Sequence, residues 1–291
     1  MAPDLPADVR RRLRGLRLRA RRAAAMSGIG AHASRNRGAG LEFAQYRAYE
    51  PGDEVRQVDW KLYARSERLF VREAERESPL TLWIVVDASA SMAQGDAARP
   101  GWSRLQAAKL LAVCLAELAL AGADRFGWIV PGERGIVAAP ADGRRQRDRL
   151  RLDCAAVVAT GTFAVTDLAL LYERIGTHDL VVVLSDLFDD AVVAMMLRLA
   201  AARRDVSAIQ ILTAEERDFP FAGGHHFVDP ETGREVVGDG PAMRAGFVRD
   251  FDAARKALSA RLAAGGVRLA THFLDEAADA PLRALFGPTL R

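Results

Sequence analysis

Cysteine is nearly missing from this chain: Cys114 and Cys154 are the only two among 291 residues. They lie far apart in apolar, helical-looking settings, which excludes a disulfide framework or a cysteine-rich zinc cluster. Two buried structural thiols are expected instead. Long apolar runs are missing as well. No stretch reaches the roughly 20 residues needed to cross a bilayer, and the arginine-rich amino terminus lacks the apolar segment and cleavage site of a secretory signal. A cytoplasmic protein is expected. Absent too are His-Glu-x-x-His, Gly-x-Ser-x-Gly and the P-loop, so zinc-peptidase, hydrolytic-serine and intrinsic ATPase chemistry find no support.

What is present is a globular composition, 50% hydrophobic and 27% charged, with room for one large or two smaller domains. Net charge is only +3 although the pI is 9.1. The basic excess is therefore local. In Val9-Arg-Arg-Arg-Leu13-Arg-Gly-Leu16-Arg-Leu-Arg-Ala20-Arg-Arg22 the apolar positions share one helical face and arginines crowd the others. A basic amphipathic helix over 1–26 is expected. It suits anionic lipid at a membrane surface, RNA or an acidic partner, or else packs its stripe onto its own domain. Gly28-Ile-Gly30-Ala-His-Ala33 formally matches a dinucleotide fingerprint, but no strand precedes it, so a loop is expected.

Over 27–79 apolar and charged residues alternate around the turns Pro51-Gly52-Asp53 and Ser66-Glu67, the pattern of a small antiparallel β appendage. From residue 80 to 291 apolar strands alternate with helical stretches. That is the pattern of an α/β fold, a doubly wound, mostly parallel, Rossmann-like sheet. Strands are expected near 81–87, 125–130, 135–139, 180–185, 206–212 and 267–274. Helices are expected near 103–121, 143–158, 167–175, 190–203 and 247–264. The connection Pro131-Gly132-Glu133-Arg134 is too short for a parallel crossover, so the second and third strands should be antiparallel at one edge. A hairpin insertion near 223–240 should turn at Pro230 to Gly233. His225 and His226 read as a loop pair, and Asp189 and Asp190 as the acidic start of a helix.

The chemistry concentrates behind the first strand. In Trp83-Ile-Val-Val-Asp87-Ala-Ser89-Ala-Ser91 the apolar run delivers an Asp and two Ser to the carboxyl edge of the sheet, where open α/β folds hold ligands. Those side chains offer hard oxygen donors suited to Mg2+, Mn2+ or Ca2+. They equally suit an ordinary strand-to-helix turn in which Asp and Ser bond local backbone. Ser185-Asp186 ends the fourth strand and Thr166-Asp167 opens a helix. Asp87, Ser89, Ser91, Thr166 and Asp186 can then form an oxygen cage whose two carboxylates call for a cation. Its hydroxyls add no charge, leaving the ion open to a further carboxylate.

Asp87-Ala-Ser89-Ala-Ser91, Thr166 and Asp186 resemble the metal-ion-dependent adhesion site of the von Willebrand factor A domain. That fold is a doubly wound sheet with an antiparallel edge strand. Upstream, Gly38-Ala-Gly40-Leu-Glu-Phe43, Arg47-Ala-Tyr49-Glu-Pro-Gly52-Asp53-Glu-Val-Arg56-Gln-Val-Asp59-Trp60 and Ala64-Arg65 resemble the hallmark of the bacterial domain-of-unknown-function 58 family. That resemblance implies a non-catalytic, metal-dependent interaction module. Its members are often encoded beside MoxR-type AAA+ ATPases, with which they are thought to act on other complexes. A contact through a partner's acidic residue is implied, with Arg47, Asp53, Arg56, Asp59, Trp60 and Arg65 as further partner-binding candidates. Those same residues suit a second role, as ion pairs and aromatic cover that fix the turn.

The chain departs from the adhesion pattern in two places. Ala164-Val165 stand where related domains carry glycines before the threonine, so Thr162, after Gly161, is an alternative ligand to Thr166. Leu187 follows Asp186 where a glycine is usual. The rival reading is a metal-dependent phosphohydrolase or nuclease using Asp87 and Asp186. Two-metal phosphoryl chemistry wants several directly bound carboxylates, whereas the first motif supplies one carboxylate and two hydroxyls.

Overall fold

The computed structural model describes residues 5–20, 42–51, 53, 55–75, 79–97, 99–132, 135–163, 172–228 and 233–287. The chain divides into two compact units, residues 1–28 with 79–291, and residues 29–78.

At the amino terminus α1 (Ala7–Arg12) is shorter than the arginine pattern predicts. The chain turns at residues 13–15, where Gly15 takes φ +86°, a left-handed conformation that glycine adopts without a Cβ clash. The apolar stripe is nevertheless used. Leu5, Val9 and Leu13 are buried in the main core, and Arg12 pairs with the buried Asp279. The stripe thus packs on its own domain. Residues 21–26 of the expected helix, and the Gly28–Ala33 motif, lie outside the described residues.

In the smaller unit β1 (Glu42–Ala48) and β2 (Phe70–Glu75) pair antiparallel, as the alternation predicts. Between them runs an unexpected helix, α2 (Trp60–Ser66). Asp59 starts it by accepting from the backbone N–H groups of Lys61 and Leu62, and Glu67 ends it in a left-handed conformation.

The larger unit continues with β3 (Thr81–Val86), a small hairpin of β4 (Gly95–Asp96) and β5 (Arg99–Ser103), α3 (Arg104–Ala121), β6 (Arg125–Val130), β7 (Ile136–Ala141) and α4 (Gly143–Ala156). After it come β8 (Leu180–Ser185), α5 (Asp190–Ala201), β9 (Asp205–Leu212), α6 (Ala214–Asp218), the hairpin β10 (Gly224–Val228) and β11 (Glu235–Asp239), α7 (Gly240–Ala264), β12 (Arg268–Phe273) and α8 (Ala280–Phe286). Six strands form one sheet in the order β12-β9-β8-β3-β6-β7, parallel except for the β6–β7 pair at the edge. The short connection after residue 130 did dictate that antiparallel edge.

Both faces of the sheet are covered. Leu82, Ile84 and Val86 feed a core shared with α1, α3, α4 and α8, while Trp83 and Val85 feed a second core shared with α5 and Leu262 of α7. A strand buried on both faces needs apolar residues at every position, which is why this one reads as an unbroken run. Cys114 and Cys154 are buried, unpaired, and pushed up to about 12 in pKa chiefly by burial, as structural thiols should be.

Three expectations need correction. The last long helix begins at Gly240 rather than near 247, because Asp239 caps it and Pro241 occupies its first turn. The β4–β5 hairpin was not anticipated, and His225 and His226 lie on strand β10 rather than in a loop. The helix expected near 167–175 falls mostly outside the described residues.

One glycine is required at the antiparallel edge. Between Phe126 and Trp128 the β6–β7 register shifts, so that β7 carries an extra residue around Pro140. A Cβ on Gly127 would sit 2.5 Å from the Ala138 carbonyl oxygen and 2.9 Å from the Pro140 nitrogen, both backbone atoms. Gly127→Ala should cost about 2 kcal/mol in urea unfolding; a loss below about 0.5 kcal/mol would mean that the edge strand yields freely.

Candidate functional site

The carboxyl ends of β3, β8 and β9 lie side by side, and a polar network fills the space above them. Asp87 leaves β3 with its N–H donating to the Leu184 carbonyl at 2.9 Å, so the chain stays in the ladder one residue past the strand. Its carboxylate is buried. Oδ1 accepts from the Ser89 N–H at 2.8 Å and Oδ2 from the Ser185 hydroxyl at 2.6 Å. Burial raises the Asp87 pKa above the usual carboxylate range, against the pull of these donors, and the neighbouring Asp186 charge raises it further.

Ser89 and Ser91 are also buried, and their hydroxyl oxygens are hydrogen-bonded to each other at 3.1 Å. Adjacent ligands of an octahedral magnesium ion stand about 3 Å apart, given metal–oxygen distances near 2.1 Å. The hydroxyl pair therefore already has the spacing of two neighbouring ligands. Asp186, buried beside them, accepts from Arg104 Nη1 at Oδ2 (2.9 Å) and from the Phe188 N–H at Oδ1 (3.2 Å). Gln210 steadies this loop by donating to the Asp186 carbonyl at 3.1 Å. Two carboxylates and two neutral hydroxyls make a donor set that fits a hard dication. Among the described residues no three His, Cys, Asp or Glu side chains form a metal-ligating group.

The structure thus brings together Asp87, Ser89, Ser91 and Asp186. Thr166 lies outside the described residues. Thr162 is exposed, and its loop is stitched to the first one by two backbone bonds, Ala90 N–H to the Gly161 carbonyl and Thr160 N–H to the Ala88 carbonyl, both 2.8 Å. Leu187 has φ +61°, so the position where a glycine is usual keeps a glycine-like backbone while burying a leucine side chain.

Ser185, at the end of the strand that delivers Asp186, joins the network, as do Arg104 and Glu216, which carried no sequence signal. Arg104 opens α3 behind the capping box of Ser103 and Gln106. Its Nη1 also donates to the Ser91 carbonyl at 3.0 Å, and its Nη2 donates to Glu216. Glu216 belongs to the capping box that starts α6. Asp96 of the β4–β5 hairpin accepts from the Ala214 N–H of the same helix, so the hairpin helps hold α6 in place.

In the smaller unit the candidates divide into two groups. Arg47 binds Asp53 through Nη2 at 2.8 and 2.9 Å and holds that carboxyl below its ordinary pKa. Asp59 caps α2 and accepts from the Tyr46 hydroxyl at 2.9 Å. These three residues fix the turn. Arg56, Trp60 and Arg65 are exposed, with Trp60 edge-on to Tyr63.

A family model described as "Protein of unknown function DUF58" matches residues 45–257. Uncharacterized proteins of Mycobacterium bovis and Mycobacterium tuberculosis are 31% identical over 219 residues, which is 73% of this chain and 68% of theirs. Among solved structures, the conserved hypothetical protein BatB of Bacteroides thetaiotaomicron is 17% identical, with a TM-score of 0.38 over 64% of this chain and 98% of BatB. An aerotolerance-related membrane protein of Bacteroides fragilis is 18% identical, with a TM-score of 0.39 over 64% of this chain and 99% of its own. No helix among the described residues is long and apolar enough to cross a membrane.

Proposed function

Since the chain belongs to the DUF58 family, whose description assigns no activity, we propose that its sheet edge is a divalent-cation site of the von Willebrand factor A type. The site would capture a carboxylate of a protein partner and catalyse no reaction. The observation that carries this reading is the pair of buried hydroxyls, Ser89 and Ser91, set 3.1 Å apart at the sheet edge that also buries the carboxylates of Asp87 and Asp186.

Ser89, Ser91, Asp87 and Asp186 would hold magnesium or manganese, with Thr162 or Thr166 as a fifth donor. A bound ion would supply one exchangeable position for an outside oxygen. The protein's own part is to keep the hydroxyls paired at ligand spacing and Asp87 desolvated, so that little reorganisation is needed. What favours binding over hydrolysis is that the serine hydroxyls bond to each other, and that Asp87, the carboxylate beside Ser89, already accepts from the Ser89 N–H and the Ser185 hydroxyl instead of standing free as a base. The partner proposed is a MoxR-type AAA+ ATPase, or its client, presenting an acidic residue.

The test combines calorimetry with capture of that ATPase. Wild type should bind Mg2+ weakly and capture the partner only with the ion present. Asp87→Ala, and separately Ser89→Ala with Ser91→Ala, should abolish both the heat and the capture while remaining folded. Full capture in a chelator, or equal Mg2+ heats in wild type and the double serine variant, would overturn the reading.

A further inference from the structure

Arg104 lies at the centre of the edge network. It is 3% exposed, and its guanidinium ties the first loop through the Ser91 carbonyl, the third loop through Asp186, and α6 through Glu216. The ring of Phe188, half exposed, lies 5.2 Å from the guanidinium carbon and screens it from one side. Its guanidinium brings a fixed positive charge to the edge. We propose that Arg104 is a resident counter-cation, which holds Asp186 when no ion is bound and sets how tightly the site takes one. This rests on the divalent-cation reading above.

The charges at the edge give the reason. Asp87, Asp186 and Glu216 supply three formal negative charges, and Arg104 supplies one positive. A dication arriving at Asp186 meets a carboxylate whose Oδ2 is already held by a guanidinium and whose Oδ1 is held by a backbone N–H. It must share that group and approach a fixed positive charge. Binding is thereby weakened, and the edge stays assembled in the ion's absence because Asp186 is never an unpaired buried charge. Weak, exchangeable binding suits a site whose ion is to be completed by a partner's carboxylate, since the partner then decides whether the ion stays.

Removing only the charge separates this role from a purely structural one. Mg2+ titrations by calorimetry would compare wild type, Arg104→Met and Arg104→Lys, with thermal unfolding in chelator and in excess Mg2+. Arg104→Met should bind Mg2+ at least about tenfold more tightly, because a unit charge within a few ångströms of a dication is worth that much or more in a partly dry site. Its melting temperature should fall in chelator and recover in Mg2+. Arg104→Lys, which keeps the charge, should stay near wild type in affinity. If Arg104→Met fails to fold, Arg104→Gln, which keeps donors without charge, takes its place. A folded neutral variant that binds Mg2+ no more tightly than a binding wild type overturns the counter-cation role and leaves the metal reading standing. Absence of Mg2+ binding in every variant and in wild type overturns both.

Discussion

Asp186→Ala should lose about 3 kcal/mol of stability in metal-free buffer, more than any serine substitution at the same edge. The Arg104 and Asp186 side chains are 4% and 3% exposed, so the pair is out of water. Removing one member of a buried pair leaves the other charged and poorly solvated, a cost of roughly 3–5 kcal/mol. Here Arg104 retains Glu216 and the Ser91 carbonyl, which places the effect at the lower end. The Phe188 N–H also loses its acceptor. Urea unfolding of wild type, Asp186→Ala and Asp186→Asn reads this directly. Asparagine keeps an acceptor for Arg104 and should fall between the two. A loss under about 1 kcal/mol for alanine would mean that water reaches the pair, since exposed pairs are worth no more than that.

An Asp186 variant that loses partner capture has lost both a candidate ligand and one of the three groups that hold Arg104, so its loss mixes two causes. The serine hydroxyls carry no charge and bond to each other, with Ser89 also beside Asp87, which makes their removal the cleaner probe of the ion.

The parts of the site visible in the sequence are those set by local pattern. An unbroken apolar run from Leu82 to Val86 must be a strand covered on both faces, and the residues just after it must emerge at an edge; that logic alone places Asp87, Ser89 and Ser91. Asp186 is found in the same way, behind Leu180–Ser185. Arg104 and Glu216 could not be found so. Their partnership spans 112 residues and Arg104's bond to Asp186 spans 82, and an arginine after a helix-capping serine looks like any exposed first-turn residue. At the amino-terminal helix the pattern misleads in the opposite direction. Its apolar spacing continues past the turn at 13–15, so periodicity alone could not show that Gly15 interrupts it. The start of α7 is legible in Asp239 and Pro241, but the same residues also suit the close of the hairpin, which hides it.

Mild acid should weaken the fold through His272, on the edge strand β12. The side chain is 1% exposed, and its Nδ1 has no hydrogen-bond partner among the described residues. Burial, with help from the positive charge of Arg99 and against the opposing charge of Asp275, pushes its pKa down from 6.5 to about 4. The unfolded chain therefore takes up a proton between pH 6.5 and pH 4 that the folded chain refuses. Stability from this group is complete above pH 6.5 and is lost as the pH falls toward 4. Each pH unit within that window removes about 1.4 kcal/mol, so the full descent costs about 3 kcal/mol. Carboxylates titrate in the same range, which makes the informative quantity a difference between two proteins. His272→Leu fills the site without an ionisable group. Between pH 7.5 and pH 5 the wild type should lose about 2 kcal/mol more than His272→Leu in urea unfolding, whatever the two differ by at pH 7.5. Parallel pH profiles would show that the folded state protonates His272 as readily as the unfolded chain does, and that water or a rearranged β12 reaches a ring the sheet otherwise keeps dry.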